Sequence, residues 1–162
     1  FFFMPVFGLN NGLIPILGYN FGARNKKRMV TTLKYAYGIA LGFMLFGFAC
    51  FMIIPGKLLL LFDASEEMLA LGIPALRIIG IHYLIAWFCI VTGSLFQAVG
   101  KAMYSLYVSV ARQLLVLLPA AYILAKIGGL PLIWASFPIA EGMSLLISLI
   151  CMKSTMKLID EM

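Results

Sequence analysis

The chain has very few charged side chains for its length. Charged residues make up 11% of its 162 residues, with only 6 Asp+Glu, whereas apolar residues make up 64%. Soluble domains carry roughly 25% charged and roughly 45–50% apolar residues, so this composition excludes a water-soluble bundle and a disordered chain. The net charge is +6, but the cations lie in short patches between apolar runs, which argues against nucleic-acid binding. The composition therefore predicts a polytopic membrane protein in contact with lipid.

Cysteine and histidine are also rare, and their positions exclude several kinds of site. The three cysteines, Cys50, Cys89 and Cys151, lie far apart in apolar stretches and are interpreted as small packing residues. The sequence contains no phosphate-binding loop and no nucleophile with an adjacent base. We therefore expect no metal site, no cofactor and no enzymatic activity.

Long stretches with little or no charge dominate the chain. Five predicted spans cover residues of about 1–21, 33–54, 76–100, 102–125 and 130–152. Each meets the roughly 20 residues that a helix needs to cross a hydrocarbon core of about 30 Å. None of them alternates with the period of two that a barrel strand requires. The sequence thus predicts one all-α transmembrane bundle over residues 1–162.

The positive charges predict how this bundle is oriented. If the spans alternate in direction, most cations fall on one side: Arg24, Lys26, Lys27, Arg28, Lys34, Lys101, Lys153 and Lys157. The other side has Lys57, Arg77 and Lys126. Because positive loops stay in the cytoplasm, we expect a multi-pass protein of the plasma (inner) membrane with a cytoplasmic C-terminus. The chain begins inside an apolar span and has an odd number of spans, so we expect it to be the C-terminal part of a longer protein.

Local signals predict how the spans begin, bend and pack. Gly8 and Gly12 form a GxxxG pair, which favours close approach of another helix. Gly22 is predicted as the residue that follows the end of the first helix. Ser65 is predicted as a helix N-cap, and the helix after it is predicted to enter the third span through a kink at Pro74.

One segment resembles a known family of transporters. Residues 15–28 read P-I-L-G-Y-N-F-G-A-R-N-K-K-R, which is similar to a signature of the multidrug and toxic compound extrusion (MATE) family. In that family a P-I-x-G-x-N-x-G-A stretch closes the second helix of each six-helix lobe, before a basic cytoplasmic loop. The matching positions are Pro15, Gly18, Asn20, Gly22 and Ala23. Residues 93–101 and 112–135 resemble later helices of the same lobe, in the same order.

This resemblance implies a fold, a function and partners. The chain would supply helices eight to twelve of a twelve-helix, two-lobe transporter, with the N-terminal lobe and membrane lipid as its partners. The whole protein would be a secondary active antiporter that exports small organic cations, driven by Na⁺ or H⁺, by alternating access between the lobes. Some family members place a coupling carboxylate in the tenth helix, whereas this sequence has none between Arg77 and Lys101.

Two charged residues within the predicted spans are the foremost site candidates. Arg112 lies about 12 Å and Glu141 about 17 Å from the cytoplasmic ends of their helices, at about 1.5 Å per residue. A charge at bilayer depth is costly, so each is expected to be paired or functional. The long Arg side chain could bridge the difference in depth, which predicts a structural ion pair. The alternative is direct coupling of an ion or a substrate.

Other polar and aromatic residues are weaker candidates for an ion or substrate pathway. These are His82, Asn10, Asn11, Gln97 and Tyr83. A histidine in a span can relay protons, amides can bind substrate amines, and aromatic rings can stack on cations. Each of them can equally serve as a hydrogen-bonded or packing residue within the bundle.

Three other functions are consistent with the sequence to different degrees. A lipid-linked saccharide flippase of the same superfamily has the same two-lobe plan, but residues 15–28 favour the drug antiporter. A membrane-embedded enzyme would need a catalytic pair, for which only Arg112, His82 and Glu141 are available. A helical assembly module without transport activity would pack through its GxxxG faces.

Overall fold

The computed structural model describes residues 2–161, and this part of the chain is helical without any strand. Its nine α-helices are α1 (Phe3–Gly22), α2 (Lys26–Ile53), α3 (Pro55–Leu60), α4 (Glu66–Ile81), α5 (Tyr83–Ala98), α6 (Ala102–Val110), α7 (Leu118–Gly128), α8 (Leu130–Ile133) and α9 (Ser136–Asp160). A π-helical segment, Ala111–Leu117, joins α6 to α7. The all-α prediction is confirmed.

Membrane-spanning helices are present, although the predicted count of five is not reached. Within residues 2–161, three helical stretches are long and apolar enough to cross a bilayer: Lys26–Ile53, Ala102–Gly128 and Leu130–Asp160. The helices α4 and α5 add a fourth if they are taken together as one bent span. The helix α1 has 20 residues but does not meet the same criterion. Its asparagines and glycines reduce its apolar character, so its crossing of the membrane remains a prediction.

The bend in the third predicted span lies at His82 and not at Pro74. The helices α4 and α5 meet there at an angle of 49°, whereas Pro74 lies inside α4 without interrupting it. At the bend, the backbone N–H of His82 donates to the carbonyl of Ile79 at 3.1 Å, and the His82 ring Nδ1 contacts the same oxygen. The sequence pattern did not reveal a break at this position.

The turn between α1 and α2 lies within the signature segment, and one of its side chains caps α2. The prediction that Gly22 follows the end of the first helix was wrong, because α1 includes Gly22. The residue with a left-handed backbone after the helix is Arg24, with φ of 50°. The Asn25 side chain accepts from the backbone N–H of Arg28 at 3.1 Å and thereby caps α2.

The predicted cap at Ser65 is confirmed, since its hydroxyl accepts from the Met68 N–H at 3.3 Å.

The buried core lies where α1, α2 and α5 pack against one another. Its buried members include Leu17, Met44 and Leu95. Gly8 and Gly12 lie on a different face of α1, and a Cβ at either position would meet no heavy atom within 4 Å in the described part of the chain. The predicted close helix approach at this GxxxG pair is therefore absent there, because α2 and α5 pack on the opposite face of α1.

One end of the bundle gathers the basic segments. The Lys26 Nζ lies 2.8 Å from the Asp160 Oδ1, so the start of α2 meets the end of α9. The Lys101 Nζ, in the turn between α5 and α6, donates to the Ser154 hydroxyl at 3.1 Å. The first loop, the third loop and the last helix thus share one end, as alternating spans predict.

Candidate functional site

Arg112 and Glu141 form an ion pair between the π-helical segment and α9. The Arg112 Nη1 lies 3.3 Å from the Glu141 Oε2, so the pairing predicted from their depths is present. The Glu141 side chain is 3% exposed, whereas the Arg112 side chain is 31% exposed. The pair therefore has a buried acidic end and an accessible basic end.

The π-helical segment positions Arg112 at this site. The segment Ala111–Leu117 overlaps the turn before Pro119. A proline has no N–H to donate to the carbonyl four residues earlier, and its ring clashes with that carbonyl, so a regular α-helical turn is disturbed there. A π turn inserts an extra residue and rotates the side chains that precede it relative to those that follow. The segment packs against α9, and Arg112 faces Glu141. Single π turns inside α-helices are frequently found at functional sites.

Two neighbouring cavities share Arg112 as a lining residue. The first has a volume of about 190 Å³, and its other polar lining residues include Asn10, Ser94, Gln97, Ser105, Ser109 and Ser148. The second has a volume of about 390 Å³ and is lined by Glu141, His82 and Gln113 together with three phenylalanines, Phe3, Phe7 and Phe137. Phe7 and Ile90 line both cavities as well, so the two cavities adjoin at these three side chains.

His82 joins Glu141 and Arg112 in the second cavity. Its ring stacks on Phe3, with centroids 5.6 Å apart, and lies 6.3 Å from the ring of Phe137. Its Nδ1 contacts the Ile79 carbonyl, so Nε2 is the ring nitrogen left for other partners. The histidine is therefore both a structural residue of the bend and a wall of the cavity.

The remaining candidates are distributed over different surfaces. Asn10 lines the first cavity, and its Oδ1 is buried without a partner among the described residues, whereas Asn11 is exposed on α1. Gln97 lines the same cavity and donates to the Ser105 hydroxyl at 3.2 Å. Tyr83 is buried and lines a separate apolar cavity of about 650 Å³. The structure therefore does not bring Asn11 or Tyr83 to Arg112 and Glu141.

A row of buried hydroxyls next to Glu141 was missed by the sequence reasoning. Ser144 and Ser148 follow Glu141 on the same face of α9, and both are 1% exposed. Their hydroxyls and the Glu141 Oε1 have no hydrogen-bond partner within residues 2–161. The thiol of Cys89, in α5, adjoins all three of these side chains. Their positions, three and seven residues after Glu141 and so on one face of a helix, were the available signal.

The signature residues form the end of α1 and its contact with α5. The Asn20 side chain is buried and donates from Nδ2 to the Ile16 carbonyl at 2.7 Å. A Cβ at Gly18 would lie 3.5 Å from the Ala98 carbonyl oxygen, so a small residue lets α1 approach the end of α5. Pro15, Gly22 and Ala23 are exposed. These residues shape the helix end and do not line the two cavities.

The sequence profile of the family described as MatE matches residues 1–123. This match covers about three quarters of the chain and includes the segment that resembles the MATE signature. The chain belongs to the MatE family. It is a family of membrane transporters and not of enzymes.

Solved structures of MATE transporters share the fold of this chain. The multidrug transporter DinF-BH, solved in complex with rhodamine 6G, is 32% identical, with a TM-score of 0.87 over 98% of this chain and 35% of its own. An outward-facing multidrug resistance MATE transporter of the MOP superfamily is 22% identical, with a TM-score of 0.88 over 99% of this chain and 37% of its own. A MOP-superfamily transporter from Pyrococcus furiosus is 24% identical, with a TM-score of 0.82 over 98% of this chain and 36% of its own. The comparison with curated protein sequences gives no match.

The chain therefore spans little more than a third of the length of these transporters. Its membership of the MatE family establishes a multi-pass membrane protein with a transporter fold. Within that fold, the pair of Arg112 and Glu141, with His82 beside it, is where charge and cavity coincide.

Proposed function

We propose that this chain supplies helices eight to twelve of a MATE-type antiporter that exports small organic cations in exchange for Na⁺ or H⁺. The N-terminal lobe completes the substrate path, and the two lobes alternate between inward and outward access. The observation that carries this proposal is the cavity in which Arg112, Glu141 and His82 meet phenylalanine rings within a MATE fold.

The second cavity has the features that a site for amphiphilic cations needs. Aromatic faces attract cations and apolar bodies, and Phe3, Phe7 and Phe137 line it. The polar groups of the first cavity, among them Asn10 and Gln97, offer hydrogen bonds to substrate amines. Mixed apolar and polar linings of this kind allow binding of many related compounds.

The proposed orientation follows from the charges gathered at one end of the bundle. The loop with Arg24 to Arg28, the turn with Lys101 and the end of α9 lie together there, as the ion pair of Lys26 with Asp160 indicates. Positively charged loops remain on the cytoplasmic side. We infer that this end faces the cytoplasm of a plasma or inner membrane, where its basic side chains contact anionic lipid.

Transport by the complete protein in liposomes tests this function. The full-length transporter is reconstituted with the cationic dye rhodamine 6G, and either a Na⁺ or a proton gradient is imposed. We expect dye movement against its own gradient with one of the two ions. Dye that follows only its own concentration gradient, with both ions, would contradict antiport.

The isolated chain is the matched control for the two-lobe requirement. We expect residues 1–162 to insert into membranes but to move no dye, because alternating access needs both lobes. Gradient-driven transport by the isolated chain would show that one lobe is sufficient. Movement of a lipid-linked saccharide by the full-length protein, without any movement of the dye, would instead favour a flippase.

A further inference from the structure

A large apolar cavity lies at the end of the bundle opposite to the basic segments. Its volume is about 650 Å³, and its walls come from α1, α2, α3, α4 and α5. The hydroxyl of Tyr83 is the one polar side-chain group among the described residues that line it. The helix α2 begins at Lys26 at the basic end and reaches this cavity about 40 Å further on. The cavity is therefore separate from the two cavities that Arg112 lines.

Three aromatic rings close the inner end of this cavity. The ring centroids of Phe2 and Phe51 lie 5.5 Å apart, and those of Phe51 and Tyr83 lie 5.2 Å apart. Tyr83 is 5% exposed, so this end is sealed from the surroundings of the bundle. Leu76 lines the same cavity and precedes Tyr83 by two helical turns, which corresponds to about 10 Å. The cavity therefore extends along the direction of the helices.

The outer end of the cavity is open and apolar. Leu61 and Phe62 follow α3, line the cavity, and are 79% and 68% exposed. The wall that α3 forms is fixed against α4, since a Cβ at Gly72 would lie 2.8 Å from the Cδ1 of Leu59. Exposed apolar side chains that continue into a cavity indicate a site for an apolar ligand.

Charges of both signs flank the open end. Lys57 lies in α3, Asp63 follows Phe62 directly, and Glu66 and Glu67 begin α4. All four charged side chains are exposed, and none of them forms an ion pair within residues 2–161. Carboxylates outnumber the cation here, which disfavours an anionic headgroup. A headgroup with both a phosphate and an ammonium group would find a partner for each.

The chemistry of the cavity indicates what fills it in a membrane. Apolar cavities exclude water and take up apolar molecules. Atoms that face a void lose the dispersion contacts of close packing. In a bilayer the abundant apolar molecules are phospholipid acyl chains, which run from the membrane surface to its centre. The cavity runs in the same direction, from Leu61 and Phe62 at the end of the bundle to Tyr83 inside it.

We propose that this cavity binds one acyl chain of a phospholipid whose zwitterionic headgroup carries a primary ammonium, such as phosphatidylethanolamine. The acyl chain passes Leu76 and ends against the rings of Phe51 and Tyr83. Lys57 binds the phosphate, and Asp63 accepts from the ammonium group. The lipid supports the junction of α2, α3 and α4, and its binding does not depend on the substrate or the coupling ion of the transporter.

Photo-crosslinking of the full-length transporter tests this site. The protein is reconstituted in phosphatidylcholine vesicles with increasing amounts of a phosphatidylethanolamine that carries a diazirine near the end of one acyl chain. Peptide mass spectrometry then maps the modified residues. We expect labelling of Phe51 or Tyr83 that saturates with the amount of probe. Lipid at the outer surface of the bundle cannot label Tyr83, because that side chain is 5% exposed.

Matched variants of α4 test whether the cavity holds the acyl chain. Leu76→Trp places a larger side chain in the cavity and should lower the apparent affinity for the probe about 10-fold, since each of about two excluded methylenes costs a factor of about 4. Leu71→Trp makes the same change at an exposed position that does not line the cavity, and it should leave the labelling unchanged. Thermal stability shows whether each variant is folded. If Leu76→Trp is not, Leu61→Trp at the open end takes its place.

Two further comparisons test the headgroup. Lys57→Gln should lower the apparent affinity about 2- to 5-fold, as expected for an exposed ion pair. Lys126→Gln, at another exposed lysine, should leave it unchanged. A phosphatidylglycerol probe with the same diazirine should label Phe51 or Tyr83 more weakly than the phosphatidylethanolamine probe.

Several outcomes would overturn the inference. Absence of label from both Phe51 and Tyr83 would mean that another segment of the full-length transporter, or no molecule, occupies the cavity. Labelling that does not saturate, or that Leu71→Trp lowers as much as Leu76→Trp, would show surface lipid alone. Displacement of the probe by rhodamine 6G would make the cavity a substrate site. Equal labelling by the phosphatidylglycerol probe would contradict the assigned headgroup. None of these results bears on whether the transporter is an antiporter, which the liposome transport measurement decides separately.

Discussion

The hydroxyls of Tyr37 and Thr92 lie 2.8 Å apart and link α2 to α5 inside the bundle. Thr92 is fully buried, and the Tyr37 ring also stacks on Phe88, with centroids 5.5 Å apart. A polar contact between two helices in an apolar environment fixes their relative rotation and translation. It therefore sets the register of the two helices that share the core with α1.

We predict that loss of this bond destabilises the protein moderately. Tyr37→Phe keeps the stacked ring and removes only the hydroxyl, so it should lower the free energy of unfolding by about 1 kcal/mol. Thr92→Val should have a similar effect, and the two changes should be less than additive. The measurement is thermal denaturation of the full-length transporter in detergent. Tyr35→Phe, at an exposed position of the same helix, is the matched control and should have no effect.

The glycines of α2 should differ sharply in their tolerance of alanine. A Cβ at Gly47 would lie 2.8 Å from the Cγ of Phe2 and 2.9 Å from the Cε2 of Tyr83. Gly47→Ala should therefore cost about 1–3 kcal/mol through overpacking. At Gly42 of the same helix no heavy atom lies within 4 Å in the described part of the chain, so Gly42→Ala should be neutral or stabilising. Equal melting temperatures for the two variants would show that the aromatic rings around Gly47 can move aside without loss of stability.

We predict that Arg112 and Glu141 also contribute to stability as a pair. Glu141→Gln and Arg112→Gln should each cost about 1–2 kcal/mol, since each strands the partner in a poorly solvated place. The double change should cost clearly less than the sum of the two. A double-mutant cycle on thermal stability of the full-length protein measures this coupling. Additive losses would mean that the two side chains do not interact in the membrane.

The orientation of the bundle can be tested with cysteine labelling. Lys27→Cys and Glu67→Cys are placed separately in a full-length transporter from which the native cysteines, Cys50, Cys89 and Cys151 among them, have been removed. Both positions are exposed, and neither serves as a helix cap or in the pair of Lys26 with Asp160. With a membrane-impermeant maleimide added to intact cells, we expect labelling at position 67 and none at position 27. Labelling at position 27 and none at position 67 would show that the bundle has the opposite orientation in the membrane.

Several parts of the fold and the site could be predicted from the sequence because they depend on composition and depth. Long uncharged stretches require helices in lipid, and the two mid-span charges required a partner at a similar depth. Arg112 and Glu141 satisfied that requirement. The cap at Ser65, at the start of α4, was predictable from local chemistry, since a hydroxyl before acidic residues satisfies free N–H groups at the start of a helix.

The missed features depend on competition between local and tertiary contacts. Pro74 is compatible with an unbroken α4, whereas the break falls at His82, whose backbone N–H and ring Nδ1 both contact the carbonyl of Ile79. Pro119 indicates a disturbed helix before it but does not specify the π turn, which sets the direction in which Arg112 points. Gly8 and Gly12 lie on an exposed face of α1. A GxxxG pair indicates that another helix can approach closely at that face, but it does not indicate which helix packs there.

The ion pair of Lys26 with Asp160 implies an order of events during synthesis. Lys26 begins α2 and leaves the ribosome before any of the helices α3 to α9, whereas Asp160 ends α9. The seam that joins the start of α2 to the end of α9 can close only after every intervening helix has entered the membrane. Insertion intermediates that lack α9 therefore have an open edge at this end of the bundle, which closes when Asp160 of α9 reaches Lys26.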